Sequence, residues 1–271
     1  MEAWAVVYDP SDFPEGVASS IKRASNWLIK KARRESRNSI DEKMLATHCV
    51  EGGLISRLLP RILLKEKGIA PKDMSFSVTS AGKPYITSLG LDTPLAYNVS
   101  HDNNLVVMAF SPGGLNPPSF SIGVDVMKVQ MSSRRDTYTS FINIFEDQLT
   151  PLETLSLHSP SISQEEGLKR FFWIWTLKEA YTKALGLGLG FDFSRVEFDV
   201  VSGVVKVDGT VPPGWRFTKF EMRELNGLNV GVVAEHIGEV ETVVVSESEA
   251  KDWLKVTSAV AFLERAIHAL S

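Results

Sequence analysis

The alternation of hydrophobic and polar positions divides the chain into two blocks of predicted elements. In the first block it predicts a strand near residues 3–8, helices near 17–35 and 40–66, and strands near 75–79, 94–99 and 105–110. In the second block it predicts a strand at 121–128, helices near 134–147 and 164–186, strands near 194–200, 203–207, 215–223, 229–236 and 240–245, and a helix from Ser246 to Leu270. Each block begins with a strand, followed by helices and then several strands. The pattern therefore predicts an α+β fold of two similar subdomains.

A segment rich in proline and glycine separates the two blocks. Residues 111–119 read Ser-Pro-Gly-Gly-Leu-Asn-Pro-Pro-Ser, a composition that ends helices and strands. We therefore expect an N-terminal subdomain at 1–111, a linker at 112–120 and a C-terminal subdomain at 121–271.

Charged residues stand inside the most apolar of the predicted helices. Residues 171–183 are crowded with aromatic side chains, yet they include Lys178, Glu179 and Lys183. Glu179 and Lys183 are four residues apart and share one face of a helix. A solvated Glu–Lys pair is the ordinary interpretation, but a carboxylate and an ammonium among aromatic rings cost free energy unless they are used. We therefore treat this pair as a candidate functional site.

The strand predicted at 121–128 carries an acidic residue in an apolar run. Strict alternation places Gly123, Asp125 and Met127 on one face, opposite three branched apolar residues. Aspartate is disfavoured in strands, so Asp125 indicates a ligand or a specific hydrogen bond. Gly123 permits another backbone to approach closely.

Polar groups also collect at the end of a predicted hairpin. Residues 97–101 read Tyr-Asn-Val-Ser-His and end an apolar run, residues 102–104 form a turn, and residues 105–110 return as a second strand.

These three segments, with a fourth, resemble the motifs of the 4'-phosphopantetheinyl transferase family. They are Asn98-Val99-Ser100-His101, Gly123-Val124-Asp125-Val126-Met127, Trp175-Thr176-Leu177-Lys178-Glu179-Ala180-Tyr181-Thr182-Lys183 and the turn Ala81-Gly82-Lys83-Pro84, in the family order. The chain is similar to the large, single-chain type, in which a pseudo-twofold axis relates two subdomains and the active site lies at their interface. Met127, where many bacterial relatives carry glutamate, resembles the eukaryotic branch that activates aminoadipate-semialdehyde dehydrogenase.

The resemblance implies a Mg²⁺-dependent enzyme. It would transfer the 4'-phosphopantetheine group of coenzyme A to a serine of an apo acyl or peptidyl carrier protein and release adenosine 3',5'-bisphosphate. Asp125 and Glu179 are implied as metal ligands, with Glu179 or a metal-bound water as the base. Lys183 is implied to stabilise charge on the phosphates, which makes Asp125, Glu179 and Lys183 the expected catalytic residues. Met127 is a poor ligand for Mg²⁺ because its thioether is soft.

The remaining motif residues are implied as coenzyme A contacts. They are Lys83, Gly82, Asn98, Ser100, His101, Lys178, His48 and Arg57. Among them, Ser100, His101 and Lys83 are implied to surround the 3'-phosphate and adenosine of coenzyme A. Close relatives carry an arginine at the position where an ungapped alignment places His48, and histidine is only partly charged at neutral pH. Either coenzyme A binds more weakly here, or Arg57, Arg61 or another basic residue substitutes.

Two other functions remain open. A catalytically silent paralogue could bind coenzyme A or a carrier protein as a scaffold, although retention of Asp125, Glu179 and Lys183 argues against this. An unrelated Mg²⁺-dependent nucleotide enzyme is the third alternative. Fatty-acid, polyketide, peptide-synthetase and aminoadipate-reductase carriers are all compatible with the sequence.

Composition limits the partners of the chain. The net charge of −4 over 271 residues argues against nucleic-acid binding. No run of 18 apolar residues predicts a membrane span, and the single cysteine, Cys49, excludes an internal disulfide. The first residues resemble neither a signal peptide nor a transit peptide, so we expect a cytoplasmic monomer, with the mitochondrial matrix left open. The basic segment from Lys22 to Arg37 is either a solvated helix face or a docking surface for an acidic carrier protein.

Overall fold

The computed structural model describes residues 1–9, 11, 53–113, 122–131, 137–187, 190–224, 227–246 and 253–270. The predicted helix at 17–35, the start of the helix predicted at 40–66, His48, Cys49, the basic segment and most of the linker lie outside the described residues.

The described residues form twelve β-strands and five α-helices. The strands are β1 (Glu2–Val7), β2 (Phe76–Val78), β3 (Pro84–Ile86), β4 (Leu95–Asp102), β5 (Leu105–Pro112), β6 (Ile122–Lys128), β7 (Val196–Asp199), β8 (Val204–Val207), β9 (Trp215–Glu224), β10 (Gly227–His236), β11 (Val243–Ser246) and β12 (Leu254–Ser258). The helices are α1 (Gly53–Glu66), α2 (Tyr138–Ile144), α3 (Pro151–Leu157), α4 (Gln164–Leu185) and α5 (Ala259–Leu270). None of these helices is long and apolar enough to cross a membrane.

The first sheet has the strand order β12-β1-β5-β4. β4 and β5 form an antiparallel hairpin whose register pairs Asp102 with Leu105, and Asn103 in the turn has a positive φ of 47°, a conformation that asparagine tolerates. Helices α1 and α5 cover one face of this sheet, where their apolar residues pack against alternate residues of β1, such as Trp4 and Val6. This confirms the predicted strands at the start of the chain and in the hairpin.

The predicted helix from Ser246 to Leu270 is wrong in its first half. β11 extends to Ser246, and Leu254–Ser258 is the strand β12, which pairs in parallel with β1. β-branched residues in this segment favour an extended chain, and β1 supplies the backbone partners. Residues 254–270 therefore complete the first sheet and its helical layer, so the predicted C-terminal subdomain at 121–271 does not describe their packing.

The second sheet has the order β11-β9-β10-β6, and the long helix α4 lies against it. Ser163 caps the start of α4 by accepting a hydrogen bond from the backbone of Glu166. Gly186, in the left-handed conformation, ends the helix. The predicted helix at 164–186 is confirmed. The short helix α3, for which the hydrophobic pattern predicts no element, begins with a capping box formed by Thr150 and Glu153.

A third apolar cluster lies between the two sheets. Ala3 and Ala5 of β1 contribute to it from the first sheet, and Ile122, Val124 and Val126 of β6 contribute from the second. The layers therefore run in the order helices, sheet, sheet, helix. The prediction of an α+β protein with two sheet-containing subdomains is confirmed.

Candidate active site

Three side chains from different elements meet where the edge strands β4 and β6 of the two sheets lie beside the helix α4. Lys183 Nζ on α4 donates to Asp125 Oδ1 on β6 at 2.6 Å and to Ser100 Oγ on β4 at 3.2 Å. Ser100 Oγ also donates to Asp125 Oδ1, at 2.8 Å. The Asp125 side chain is 7% exposed and that of Lys183 is 30% exposed, so the lysine lies between a buried carboxylate and solvent. The structure thus joins residues of three sequence motifs in one cluster.

The second oxygen of Asp125 has no hydrogen-bond partner among the described residues. Asp125 Oδ2 is buried, whereas Oδ1 accepts from both the lysine and the serine. A buried charged acceptor without a partner costs free energy, so this oxygen indicates a site that a ligand completes.

Glu179 lies one helical turn before Lys183 and is half-buried. Burial raises the pKa of the Glu179 carboxyl, the negative charge of Asp125 raises it further, and Lys183 opposes both effects. The two carboxylates therefore repel each other through space, as two acids that share one site do.

A close approach of α4 to β6 brings these residues together. Gly123 stands two residues before Asp125, and a Cβ atom at this position would collide with the carbonyl oxygen of Ala180 and the amide nitrogen of Ala184. Only glycine allows the helix backbone to lie this close to the strand. The alternation predicted for the strand is confirmed, because Val124 and Val126 face the cluster between the sheets while Met127 packs toward α4.

Side chains of β4 also join the two sheets. Asn98 Oδ1 accepts a hydrogen bond from Val124 N at 2.9 Å, and Asp102 Oδ2 accepts one from Lys128 N at 2.7 Å. Both pairs are separated by 26 positions in the sequence, so the two strands run in the same direction. Asn98, for which a contact with coenzyme A is expected, holds the backbone next to Asp125 through its Oδ1. Asp102 was not singled out, although it shares a strand face with Asn98 and Ser100.

Lys178 does not join the cluster. Its Nζ donates to Glu153 Oε2 at 2.6 Å and to the Gln148 carbonyl at 2.8 Å, and its side chain is 1% exposed. Glu153 also accepts from the backbone nitrogens of Thr150 and Phe198. Where a contact with coenzyme A is expected, the structure places the Lys178 ammonium in a buried ion pair that ties α3, α4 and β7 together. The capping-box spacing of Thr150 and Glu153 is the sequence signal that could have identified the acid.

The other expected contacts of coenzyme A lie in different surroundings. Lys83 is buried, and its Nζ donates to the carbonyls of Ile122 and Ala184. Gly82, His101 and Arg57 are exposed, and the carbonyl oxygen of Arg57 accepts a hydrogen bond from Arg61 one turn further along α1.

The acidic residues present suit a hard cation that keeps several waters. No group of three or more histidine, cysteine, aspartate or glutamate residues that could hold a metal comes together in the part of the chain that the structure describes. Asp125 and Glu179 offer two carboxylates, and Asp125 Oδ2 has no hydrogen-bond partner among the described residues. Mg²⁺ is bound in proteins by one or two carboxylates and completed by water and phosphate oxygens.

Comparison with known proteins decides the family. A model described as the N-terminal part of 4'-phosphopantetheinyl transferase matches residues 25–113, and a model of the 4'-phosphopantetheinyl transferase superfamily matches residues 121–232. The 4'-phosphopantetheinyl transferase pptA of Paxillus involutus is 38% identical over 277 residues, covering 100% of both chains. The chain belongs to the 4'-phosphopantetheinyl transferase superfamily.

Further phosphopantetheinyl transferases are similar over part of their length. The L-aminoadipate-semialdehyde dehydrogenase-phosphopantetheinyl transferase of Mus musculus is 29% identical over 77% of this chain and 70% of its own. The protein of the same name from Schizosaccharomyces pombe is 32% identical over 55% of this chain and 54% of its own. The resemblance stated from the four motifs is confirmed, and membership supports phosphopantetheinyl transferase activity on carrier proteins in general terms.

Proposed function

We propose that the chain transfers the 4'-phosphopantetheine group of coenzyme A to a serine hydroxyl of an apo carrier protein, with Mg²⁺ as cofactor and adenosine 3',5'-bisphosphate as the second product. The observation that carries the proposal is the buried oxygen of Asp125 that has no partner among the described residues, placed beside Glu179 and Lys183 in a chain of this family.

Asp125 and Glu179 are the residues that would hold Mg²⁺, which would neutralise charge on the phosphates of coenzyme A. Met127 packs beside them and contributes an apolar wall, because a thioether is a poor ligand for a hard cation.

Glu179 is our candidate for the group that accepts the serine proton. Its half-buried carboxylate lies close enough to Asp125 and Lys183 to interact with their charges, and a water bound to the metal is the alternative acceptor. The hydroxyl oxygen of the carrier serine then forms its bond to the β-phosphorus, and the bond from that phosphorus to the oxygen of the leaving bisphosphate breaks.

Lys183 is our candidate for the group that binds the negative charge of the phosphates. Its ammonium is close to solvent and is held by Asp125 Oδ1 and Ser100. A flexible lysine can turn from one of these partners toward a phosphate oxygen without leaving the site.

Exposed residues are proposed for the adenosine end of coenzyme A. We retain His101, Gly82 and Arg57, which are accessible, and Ser100 at the edge of the cluster. His48 is retained from the sequence alignment only. Asn98 and Lys178 are assigned to positioning and to the core, because Asn98 Oδ1 and Lys178 Nζ are engaged there.

An acidic carrier domain is the proposed protein partner of a monomeric chain in the cytoplasm or the mitochondrial matrix. The names of the mouse and Schizosaccharomyces pombe relatives specify L-aminoadipate-semialdehyde dehydrogenase, and we include its carrier domain among the candidate partners.

A single labelling experiment tests the proposal. The chain is incubated with coenzyme A, Mg²⁺ and an apo carrier protein, and the carrier is analysed by intact mass spectrometry. A phosphopantetheine adduct is expected with the wild-type carrier and none with a carrier whose modified serine is replaced by alanine. Binding of coenzyme A without any adduct across carriers of all four types would support the silent scaffold instead.

A further inference from the structure

The ammonium of Lys83 connects two elements of the active site. Lys83 Nζ donates to the carbonyl oxygen of Ile122 and to that of Ala184, both at 3.0 Å. Ile122 is the first residue of β6, three positions before Asp125. Ala184 lies in the last turn of α4, immediately after Lys183. One side chain therefore bridges the strand that carries one carboxylate and the helix that carries the other.

The end of α4 is a favourable place for this cation. The last carbonyl groups of a helix lack partners within the helix, and they carry the negative end of its dipole. Lys83 supplies a donor to one of them and brings a positive charge to that end. The same ammonium supplies a donor to Ile122 on β6, which is an edge strand in the order of the second sheet.

The turn that presents Lys83 is itself fixed. Lys83 N donates to Thr79 Oγ1 at 3.0 Å, and Thr79 N donates back to the Lys83 carbonyl at 2.9 Å. Gly82, with a φ of 83°, donates to the Thr79 carbonyl and closes the turn in a conformation that glycine adopts readily. The backbone of Lys83 is thus held in the turn of the β2–β3 hairpin, which belongs to the first subdomain.

We infer that Lys83 is a positioning residue that fixes the end of α4 on β6, and so sets Glu179 and Lys183 against Asp125, rather than a ligand of the 3'-phosphate of coenzyme A. The inference rests on the proposed function for its catalytic consequence. If Lys83 turned to a phosphate, the carbonyl oxygens of Ile122 and Ala184 would both lose a buried donor.

Two substrates separate positioning from phosphate binding. We compare coenzyme A with 3'-dephospho-coenzyme A for wild type and for Lys83→Met, which keeps the length of the side chain and removes the ammonium. A positioning role lowers kcat, by about 100-fold if the reacting groups move by about 1 Å. It leaves the preference for coenzyme A over the dephospho compound within about threefold of wild type, because contacts equal in ground and transition states are untouched.

His101→Ala is the control for this measurement, because the exposed histidine remains a proposed contact of the 3'-phosphate. This variant should reduce the preference for coenzyme A while keeping most of kcat. If Lys83→Met behaves in the same way, with its preference lost and its kcat retained, the positioning role is refuted.

Hydrogen exchange gives a readout that does not depend on activity. In Lys83→Met, amides of the last turn of α4 and the first residues of β6 should exchange faster, while those of α1 and α5 stay as in wild type. Unchanged exchange at the end of α4 would overturn the inference. Lys83→Arg, which keeps the charge and several donors, should restore much of the protection.

Should Lys83→Met not fold, Lys83→Gln is measured in the same way. A wild-type chain that transfers nothing would refute the proposed function, whereas the exchange experiment would still decide the role of Lys83.

Discussion

The two carboxylate oxygens of Asp125 have different surroundings. Its Oδ1 accepts from Lys183 and Ser100, while its Oδ2 is buried without a partner among the described residues. An asparagine would keep the shape and remove the charge that a cation and the lysine need.

We therefore expect Asp125→Asn to lower kcat by about 1,000-fold, since a metal ion contributes several kcal/mol of charge stabilisation. Met127→Leu keeps an apolar wall of similar volume and should cost less than about 1.5 kcal/mol of stability, with an unchanged Mg²⁺ requirement. The measurement is a Mg²⁺ titration of the initial rate for both variants. If Met127→Leu raises the Mg²⁺ requirement as much as Asp125→Asn does, residue 127 belongs to the metal site.

The charge of Lys83 makes stability depend on pH. Burial lowers the pKa of the Lys83 ammonium from 10.5 to about 7. Between these values the unfolded chain binds the proton and the folded chain does not, so the free energy of unfolding rises with pH in this window. Below about pH 7 both states are protonated and the gain is absent.

We expect the stability of wild type relative to Lys83→Met to increase as the pH rises from 7 to about 10. Urea unfolding of both proteins at several pH values measures this difference, and groups common to both cancel. If the difference in the free energy of unfolding does not change with pH, the bonds to the carbonyls of Ile122 and Ala184 keep the pKa of the Lys83 ammonium at its ordinary value.

Among the elements, the contact of α4 with β6 depends on the absence of one methyl group. A Cβ at Gly123 would collide with backbone atoms of Ala180 and Ala184, which cannot move aside as a flexible side chain would. Gly123→Ala should therefore shift the helix and destabilise the fold by about 1–3 kcal/mol. It should lower kcat by a larger factor than it changes the KM for coenzyme A. Gly190→Ala is the matched control, because a Cβ there meets nothing within 4 Å. Thermal melts and steady-state rates that match for both variants would contradict the proposed packing.

A buried ion pair anchors the other side of α4. Glu153 Oε2 accepts from Lys178 Nζ and Thr150 N, and Oε1 accepts from Phe198 N. In Glu153→Gln the amide nitrogen would therefore face a donor whichever way the amide is turned, and the lysine would lose its counter-charge. Breaking a buried pair from one side costs about 3–5 kcal/mol. Glu166→Gln, which breaks the exposed pair with Arg170, should cost no more than about 1 kcal/mol. Urea unfolding at pH 7 distinguishes the two, and equal losses would refute the structural role of Glu153.

The parts of these elements that depend on local pattern could be predicted from the sequence. The alternation around Asp125 predicts a strand, and the apolar run before Lys183 predicts a helix. Both predictions are possible because buried positions recur about every 2 residues in a strand and about every 3.6 residues in a helix. The polar partners could not be predicted in the same way. Lys83 bonds to backbone carbonyls, which carry no sequence signal, and Lys178 pairs with an acid 25 positions away. The local pattern predicts a helix over Leu254–Ser258, because the strand that pairs with this segment, β1, is about 250 residues away in the sequence.

At the scale of the whole molecule, the two subdomains are joined at several points other than the linker. Side chains of β4 bond to the backbone of β6, Lys83 reaches from the first subdomain to the second, and an apolar cluster fills the space between the sheets. A substitution on either side of this interface can therefore change the geometry of Asp125, Glu179 and Lys183.

The parallel pairing of β1 with β12 has a consequence for how the chain is made. β1 leaves the ribosome about 250 residues before β12, the strand that covers one of its edges. At about 5–20 residues per second, that apolar edge stays open for roughly 10–50 seconds of synthesis. An open strand of this kind pairs readily with other chains. We therefore expect nascent chains that stall before residue 254 to aggregate more readily than chains that have completed β12.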